Sequence, residues 1–210
     1  MTTPVSTVAT MKLVGGDPCL DFVNTVGGRA QSRVRADKLA SYSDLVGFAE
    51  HAGLVNASAA RGLKRKGFAQ PRDAEAALQR ARAFREALYA ALRALLLGRR
   101  PAPPELRTLN AELAACRSRE RLALQRGRLL WGWPEAGERL ESPLWPVARA
   151  AAALLTSPEL ARLRQCGGDA CGWLFLDRSR NRSRQWCTMQ DCGNLSKVRR
   201  FRKRHGRVKP

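Results

Sequence analysis

Four of the six cysteines lie in the stretch "CGGDACGWLFLDRSRNRSRQWCTMQDCGN", which runs from Cys166 to Asn194. Cys166 and Cys171 enclose four residues, Cys187 and Cys192 enclose four more, and fifteen residues separate the two pairs. Paired thiols at such spacing serve as disulfides, redox couples or metal ligands. The N-terminus has no basic start, continuous apolar core or small-residue cleavage site, so export is not expected, and no apolar run approaches the length of a membrane span. In the reducing cytoplasm that this implies, metal ligation is the first reading and disulfides the second. Four thiolates satisfy one tetrahedral zinc and close its coordination shell, which points to a structural ion; a catalytic zinc keeps a position open for water.

The elements that must position the thiols follow from the same stretch. "GWLFLD" alternates Trp173 and Phe175 against Leu174 and Leu176 as a strand does, "RQWC" is placed to return antiparallel to it, and "DRSRNRS" is the turn. After Cys192 the segment "GNLSKVRRFRKRHG" predicts a helix capped by Asn194 or Ser196, with Val198 and Phe201 docking it on the finger. Knuckle, hairpin, knuckle and helix describe a treble-clef-like zinc finger. So short a unit buries little apolar surface, so metal is expected to supply much of its stability, about 10–16 kcal/mol of apparent binding free energy in zinc-finger peptides, and chelation is expected to unfold it.

The rest of the chain predicts a mainly α fold (α+β overall), with a helical domain over residues 1–160 and the finger with its basic helix over 161–210. Asp17 and Pro18 open a helix with Leu20, Val23 and Val26 on one face. "SYSDLVGFAEHAGL" predicts a second helix stopped by Gly53, and Asn56 caps a third. From Pro71 to Gly98, Ala77, Ala81, Phe84, Leu88, Ala91, Leu92 and Leu95 keep a helical rhythm, with Arg80, Arg82, Arg85 and Glu86 assigned to the other side. A further helix starts near Pro104. "RLALQRGRLLWGW" predicts a β-hairpin turning at Arg126 and Gly127. Two helical pieces interrupted at Pro158 then deliver the chain to Cys166. Asp17, Asp21 and Asn24 are assigned to capping and packing, and Cys19 and Cys116 to buried, inert positions.

Charge sets the partner. The 210 residues carry 38 Lys and Arg against 18 Asp and Glu, a net charge of +20. Residues 1–160 hold 24 basic and 15 acidic groups, and the last fifty hold 14 and 3, so the finger is far more positive for its length. Such density calls for a polyanion, nucleic acid before membrane. Candidate contacts are Arg178, Arg180, Arg182 and Arg184 around the finger's turn, with Lys197, Arg199, Arg200, Lys203 and Arg204 on the final helix. Phosphate contacts from such groups give affinity that falls with salt and carry no sequence information.

The finger resembles the CGNR zinc finger of bacterial proteins: beside the four cysteines, the matching residues are Trp173, Phe175, Asp177, Ser179, Arg180, Asn181, Trp186, Met189, Gly193 and Asn194. "GGDPCLDFVNTV" and "SYSDLVGFAEHAGL" resemble the leading segments of the ABATE domain that accompanies it. The arginine that closes the CGNR motif is Leu195 here, so a phosphate contact made by that arginine in relatives is lost or transferred to Lys197 or Arg199. The resemblance implies zinc, duplex DNA and stress-induced transcriptional control, in the cytoplasm and on the nucleoid, with a helical domain that senses a small molecule or a protein. A homodimer is compatible with such a role. An RNA- or ribosome-associated zinc protein shares the charge and the metal and stands second. An enzyme stands third, because the chain offers only His51 and His205 and no catalytic motif.

Overall fold

The computed structural model describes residues 7–31, 36–125 and 127–205. Helices dominate, and the sheets are three antiparallel two-stranded pairs. Helix α1 (Pro18–Val23) begins at Asp17, whose carboxylate accepts the Cys19 N–H at 2.9 Å, with Pro18 where an amide hydrogen would have no partner. It ends before Val26, which belongs instead to β1 (Val26–Gly27), paired with β2 (Ala36–Asp37). Ser41 and Asp44 form a reciprocal capping box on α2 (Tyr42–His51), and Gly53 takes the left-handed conformation just beyond it, at φ +68°. Asn56 caps α3 (Ala57–Ala69) through the Ala59 N–H.

Helix α4 (Pro71–Leu96) is the longest element, and its expected apolar face is buried except for Leu95. Arg85 corrects the sequence reading. It is buried on the core side, seven residues from Leu78 and Leu92 in the same stripe, and forms a paired contact with both carboxylate oxygens of Asp37 at 2.7 and 2.6 Å. Burial alone would push the Asp37 carboxyl up, but the hydrogen bonds and charge of Arg85 outweigh it and hold the carboxyl below its usual range.

Helix α5 (Pro103–Ser118) leads into the hairpin of β3 (Arg121–Gln125) and β4 (Arg128–Gly132), where the sequence placed it. Arg126 of the expected turn lies outside the described residues, and Gly127 follows it with φ +77°. After α6 (Trp145–Leu155) the second expected helical piece is only a short 3-10 turn over Pro158–Arg162. A strand, β5 (Leu163–Gln165), therefore delivers the first cysteine, and it pairs with β6 (Leu174–Leu176).

One main core joins α1 to α6, and it includes Leu163, Leu174 and Leu176 from the β5–β6 pair. A second small cluster gathers Phe175 with the four cysteines, Trp173, Trp186 and Val14. All three residues of β6 are buried because one face looks into each core. Cys19 and Cys116 are buried free thiols, both pushed up by burial, Cys116 to about 11, as inert thiols should be. No helix among the described residues is long and apolar enough to cross a membrane.

Candidate metal centre and its basic surface

Strands β5 and β6 end at the first knuckle. The Cys166 N–H donates to the Trp173 carbonyl at 2.8 Å, which extends the ladder by one step, and Cys171 N–H closes the loop on the Gly168 carbonyl at 2.9 Å. Gly168 sits where a Cβ would lie 3.2 Å from Cys192 Sγ and 3.3 Å from Cys171 Cβ, so a side chain there would press on the thiols. The second knuckle is tied to the first by Gly167 N–H on the Gln185 carbonyl at 2.8 Å. Thr188 then caps a single π-helical turn, Met189–Gly193, by accepting the Asp191 N–H, and carries Cys192 into place.

Those elements bring all four sulfurs within 4.8 Å of one another. Cys171 Sγ lies 3.8 Å from Cys187 Sγ, which is 3.5 Å from Cys192 Sγ, and the four cysteines are not joined in disulfides. A regular tetrahedron with zinc–sulfur bonds of about 2.3 Å has edges of about 3.8 Å. The amides of Gly168 and Cys187 point at Cys166 Sγ, at 3.5 and 3.3 Å. Sulfurs this close share charge unevenly. Hydrogen bonds from Cys171 and Cys187 pull Cys166 down to about 2, the same contact with Cys166 pushes Cys171 up to about 12 and Cys187 further up, and burial raises Cys192. A divalent cation at their centre is what lets four such thiols ionise together, so the donor set fits one zinc held by Cys166, Cys171, Cys187 and Cys192. Bound there, zinc supplies a cross-link between the knuckles.

The expected hairpin partner was wrong. β6 pairs with β5, upstream of Cys166, and "RQWC" does not return as a strand. The reason is Asp177, fully buried, whose carboxylate accepts the backbone N–H groups of Ser179 and Arg184 at 2.9 and 3.0 Å and the Ser179 hydroxyl at 2.5 Å. The chain from 177 to 184 therefore folds as a loop around one carboxylate, with Arg182 in the left-handed region at φ +49°.

Loop and helix place the predicted basic residues unequally. Arg180 and Arg182 are exposed on the loop. Arg178 is exposed but pairs with Glu159 at 3.1 Å and donates to the Gly16 carbonyl. Arg184 corrects the sequence reading: half-buried, it stacks 4.2 Å over Phe175 and donates to the carbonyls of Val14, Trp186 and Cys187, so it belongs to the finger's interior. Helix α7 (Asn194–His205) presents Lys197, Arg200 and Lys203 to solvent, and Arg199 pairs with Asp169 at 2.6 Å. Arg204 is in α7, and its side chain lies outside the described residues.

Val198 and Phe201 do not dock α7. They are 47% and 62% exposed, because the helix continues directly from the π-helical turn and no loop intervenes to fold it back. Nor does Asn194 or Ser196 cap it, since Thr188 caps the turn that precedes it; the Asn194 amide donates to the Gln190 carbonyl.

Sequence reasoning missed how tightly the finger is bound to the helices. Asn24 is buried and makes two hydrogen bonds to the Leu174 backbone, Trp173 Nε1 donates to the Val26 carbonyl at 3.0 Å, and Leu176 N–H donates to the Gly15 carbonyl at 2.8 Å. Residues 12–16 form a strap over the finger. Lys12 pairs with Asp191 at 2.7 Å, and Asp21 accepts the Gly15 N–H at 2.8 Å. Asp17, Asp21 and Asn24 thus cap and pack, as their assignment to those roles anticipated.

Fold and site together define a helical protein with a four-cysteine zinc finger built into its core. Residues 16–158 match the family model for ABATE, described as "Putative stress-induced transcription regulator", and residues 162–205 match the CGNR zinc finger. The chain belongs to the ABATE family and carries a CGNR zinc finger. No curated protein gives a significant match.

Proposed function

We propose that the protein is a cytoplasmic, nucleoid-associated transcriptional regulator that binds duplex DNA through its zinc finger, with the helical part of residues 1–160 receiving a small-molecule or protein signal. The observation that carries this reading is the clustering of exposed cations on one zinc-organised unit: Arg180 and Arg182 on the Asp177 loop, and Lys197, Arg200, Arg202 and Lys203 on α7. Among the described residues none of these six is held in an ion pair, whereas Arg178 and Arg199 are. A solvent-exposed basic helix projecting from a rigid base suits the major groove or a phosphate backbone. If all six contact phosphate, log K is expected to fall with log salt at a slope of about −5.

The family description supports transcriptional control, and neither matched family's description names a catalytic activity. RNA is the second reading, since charge alone does not distinguish it. Selection from a pool of random duplexes by the zinc-loaded protein tests the proposal. One enriched sequence, lost on chelation, is expected; no enrichment, with a preference for structured RNA, would reject DNA regulation.

A further inference from the structure

The β3–β4 hairpin carries an apolar face that no other described residue covers. By register Leu122 opposes Trp131 and Leu124 opposes Leu129, so these four side chains share one side of the ladder. They are 55%, 59%, 72% and 67% exposed in that order. Arg121 and Arg128 fall on the opposite side, with Ala123 and Leu130. The hairpin is anchored at its base. Arg149 of α6 donates to the Glu120 carboxylate at 3.0 Å and to the Trp131 carbonyl at 3.4 Å, and Trp133 Nε1 donates to the Cys116 carbonyl at 3.0 Å. A two-stranded sheet gains little stability alone. Three leucines and a tryptophan exposed to this degree leave on the order of 450 Å² of contiguous apolar surface, the size of the largest patch on a typical monomer, which is often a functional one.

We infer that this face is where two copies of the chain meet. The four residues carry no charge; at the Trp131 edge Glu120 and Arg149 already neutralise one another at 3.0 Å, so the centre of the face is apolar and suits an apolar partner surface. The four form two cross-strand pairs, Leu122 with Trp131 and Leu124 with Leu129, and a twofold rotation sets such a patch against its own copy. Two such faces bury about 900 Å², which with the surrounding rim reaches the ~1,000 Å² that a biological interface must clear. The basic excess does not oppose the contact strongly, because residues 1–160 hold 24 basic and 15 acidic groups while the last fifty residues hold 14 and 3. The rival apolar stripe, Leu195, Val198 and Phe201 on α7, shares its helix with Lys197, Arg199, Arg200, Arg202 and Lys203, so two copies of α7 repel one another.

Light scattering on the zinc-loaded full chain, without nucleic acid, tests this apart from the DNA reading. The wild type is expected at twice the chain mass of 23.2 kDa, and a variant carrying Leu124→Glu and Leu129→Glu at the chain mass, with an unchanged circular dichroism spectrum. Both residues are exposed in the single chain, and a Leu124→Ser, Leu129→Ser pair guards against an effect of the added charge. Tryptophan emission of the wild type should shift to the red on dilution, and that shift should disappear in Trp131→Phe. A wild type that stays at the chain mass at every concentration, or a dimer that survives both double variants, overturns the inference.

Discussion

Asn24 meets Leu174 as a neighbouring strand would: its side-chain amide donates to the Leu174 carbonyl at 2.8 Å, and its side-chain oxygen accepts the Leu174 N–H at 2.9 Å. Both residues are fully buried, and 150 positions separate them. The pair locks β6, the strand that leads away from the first knuckle, to the end of α1. Asn24→Ala leaves a buried N–H and a buried carbonyl without partners, and is expected to cost about 2–4 kcal/mol. The midpoint of urea unfolding measures it; a shift within error would mean that the finger does not depend on this clamp.

Zinc removal should be felt unevenly. Leu174 and Leu176 belong to the main core, whereas Cys187 to His205 are tied to the rest through the cysteine cluster, the Arg184 contact with the Cys187 carbonyl and the Lys12–Asp191 and Arg199–Asp169 pairs. An isolated twelve-residue helix as polar as α7 is unstable in water. Hydrogen exchange after chelation should therefore show protection lost from 187 to 205 and kept from 174 to 176. Uniform loss would restore the simpler expectation that the whole finger unfolds.

Two arginines only two positions apart, Arg182 and Arg184, should fail differently. Arg182→Ala is expected to leave thermal stability unchanged and to lower the salt slope of polyanion binding by about 1. Arg184→Ala removes the contact with Phe175 and three carbonyl partners, so it should lower the melting temperature and weaken zinc retention. Equal stability of the two variants would contradict the division between surface and interior.

Two buried carboxyls give opposite pH responses. Burial raises Asp21 from 3.8 to about 6 despite the amides of Gly15 and Val14, so the folded chain keeps a proton that the unfolded chain loses, and stability from this group falls as pH rises from about 4 to about 6. Asp21→Asn should flatten that fall in urea titrations. Asp177 is held below its ordinary value, first by the Ser179 hydroxyl and then by the Ser179 and Arg184 amides; its contribution is present above the ordinary carboxyl range and is lost as pH drops through it. In Asp177→Asn that acid loss should be smaller.

Local signals in the sequence carried much of this structure. Asp17 and Asn56 announce their helices because a cap acts within three residues, and the cysteine spacing announces the metal site because each knuckle is six residues of local chain. The partner of β6 was not legible, because Asn24 and Gly15 decide it from the far end of the chain. Arg85 was misplaced by its charge, although its seven-residue spacing from Leu78 and Leu92 marks the core face; Asp37, which neutralises it, is 48 positions away. Val198 and Phe201 followed an apolar spacing that in this fold faces water.

The most direct test is fluorescence anisotropy of a labelled duplex at near-physiological salt, titrated with zinc-loaded protein and with the same protein after chelation, each in the presence and absence of structured RNA. Tight binding of the duplex that resists RNA competition and disappears with the zinc is the expected result. Binding that survives chelation, or that RNA displaces as well as DNA does, would contradict a zinc-organised reader of duplex DNA.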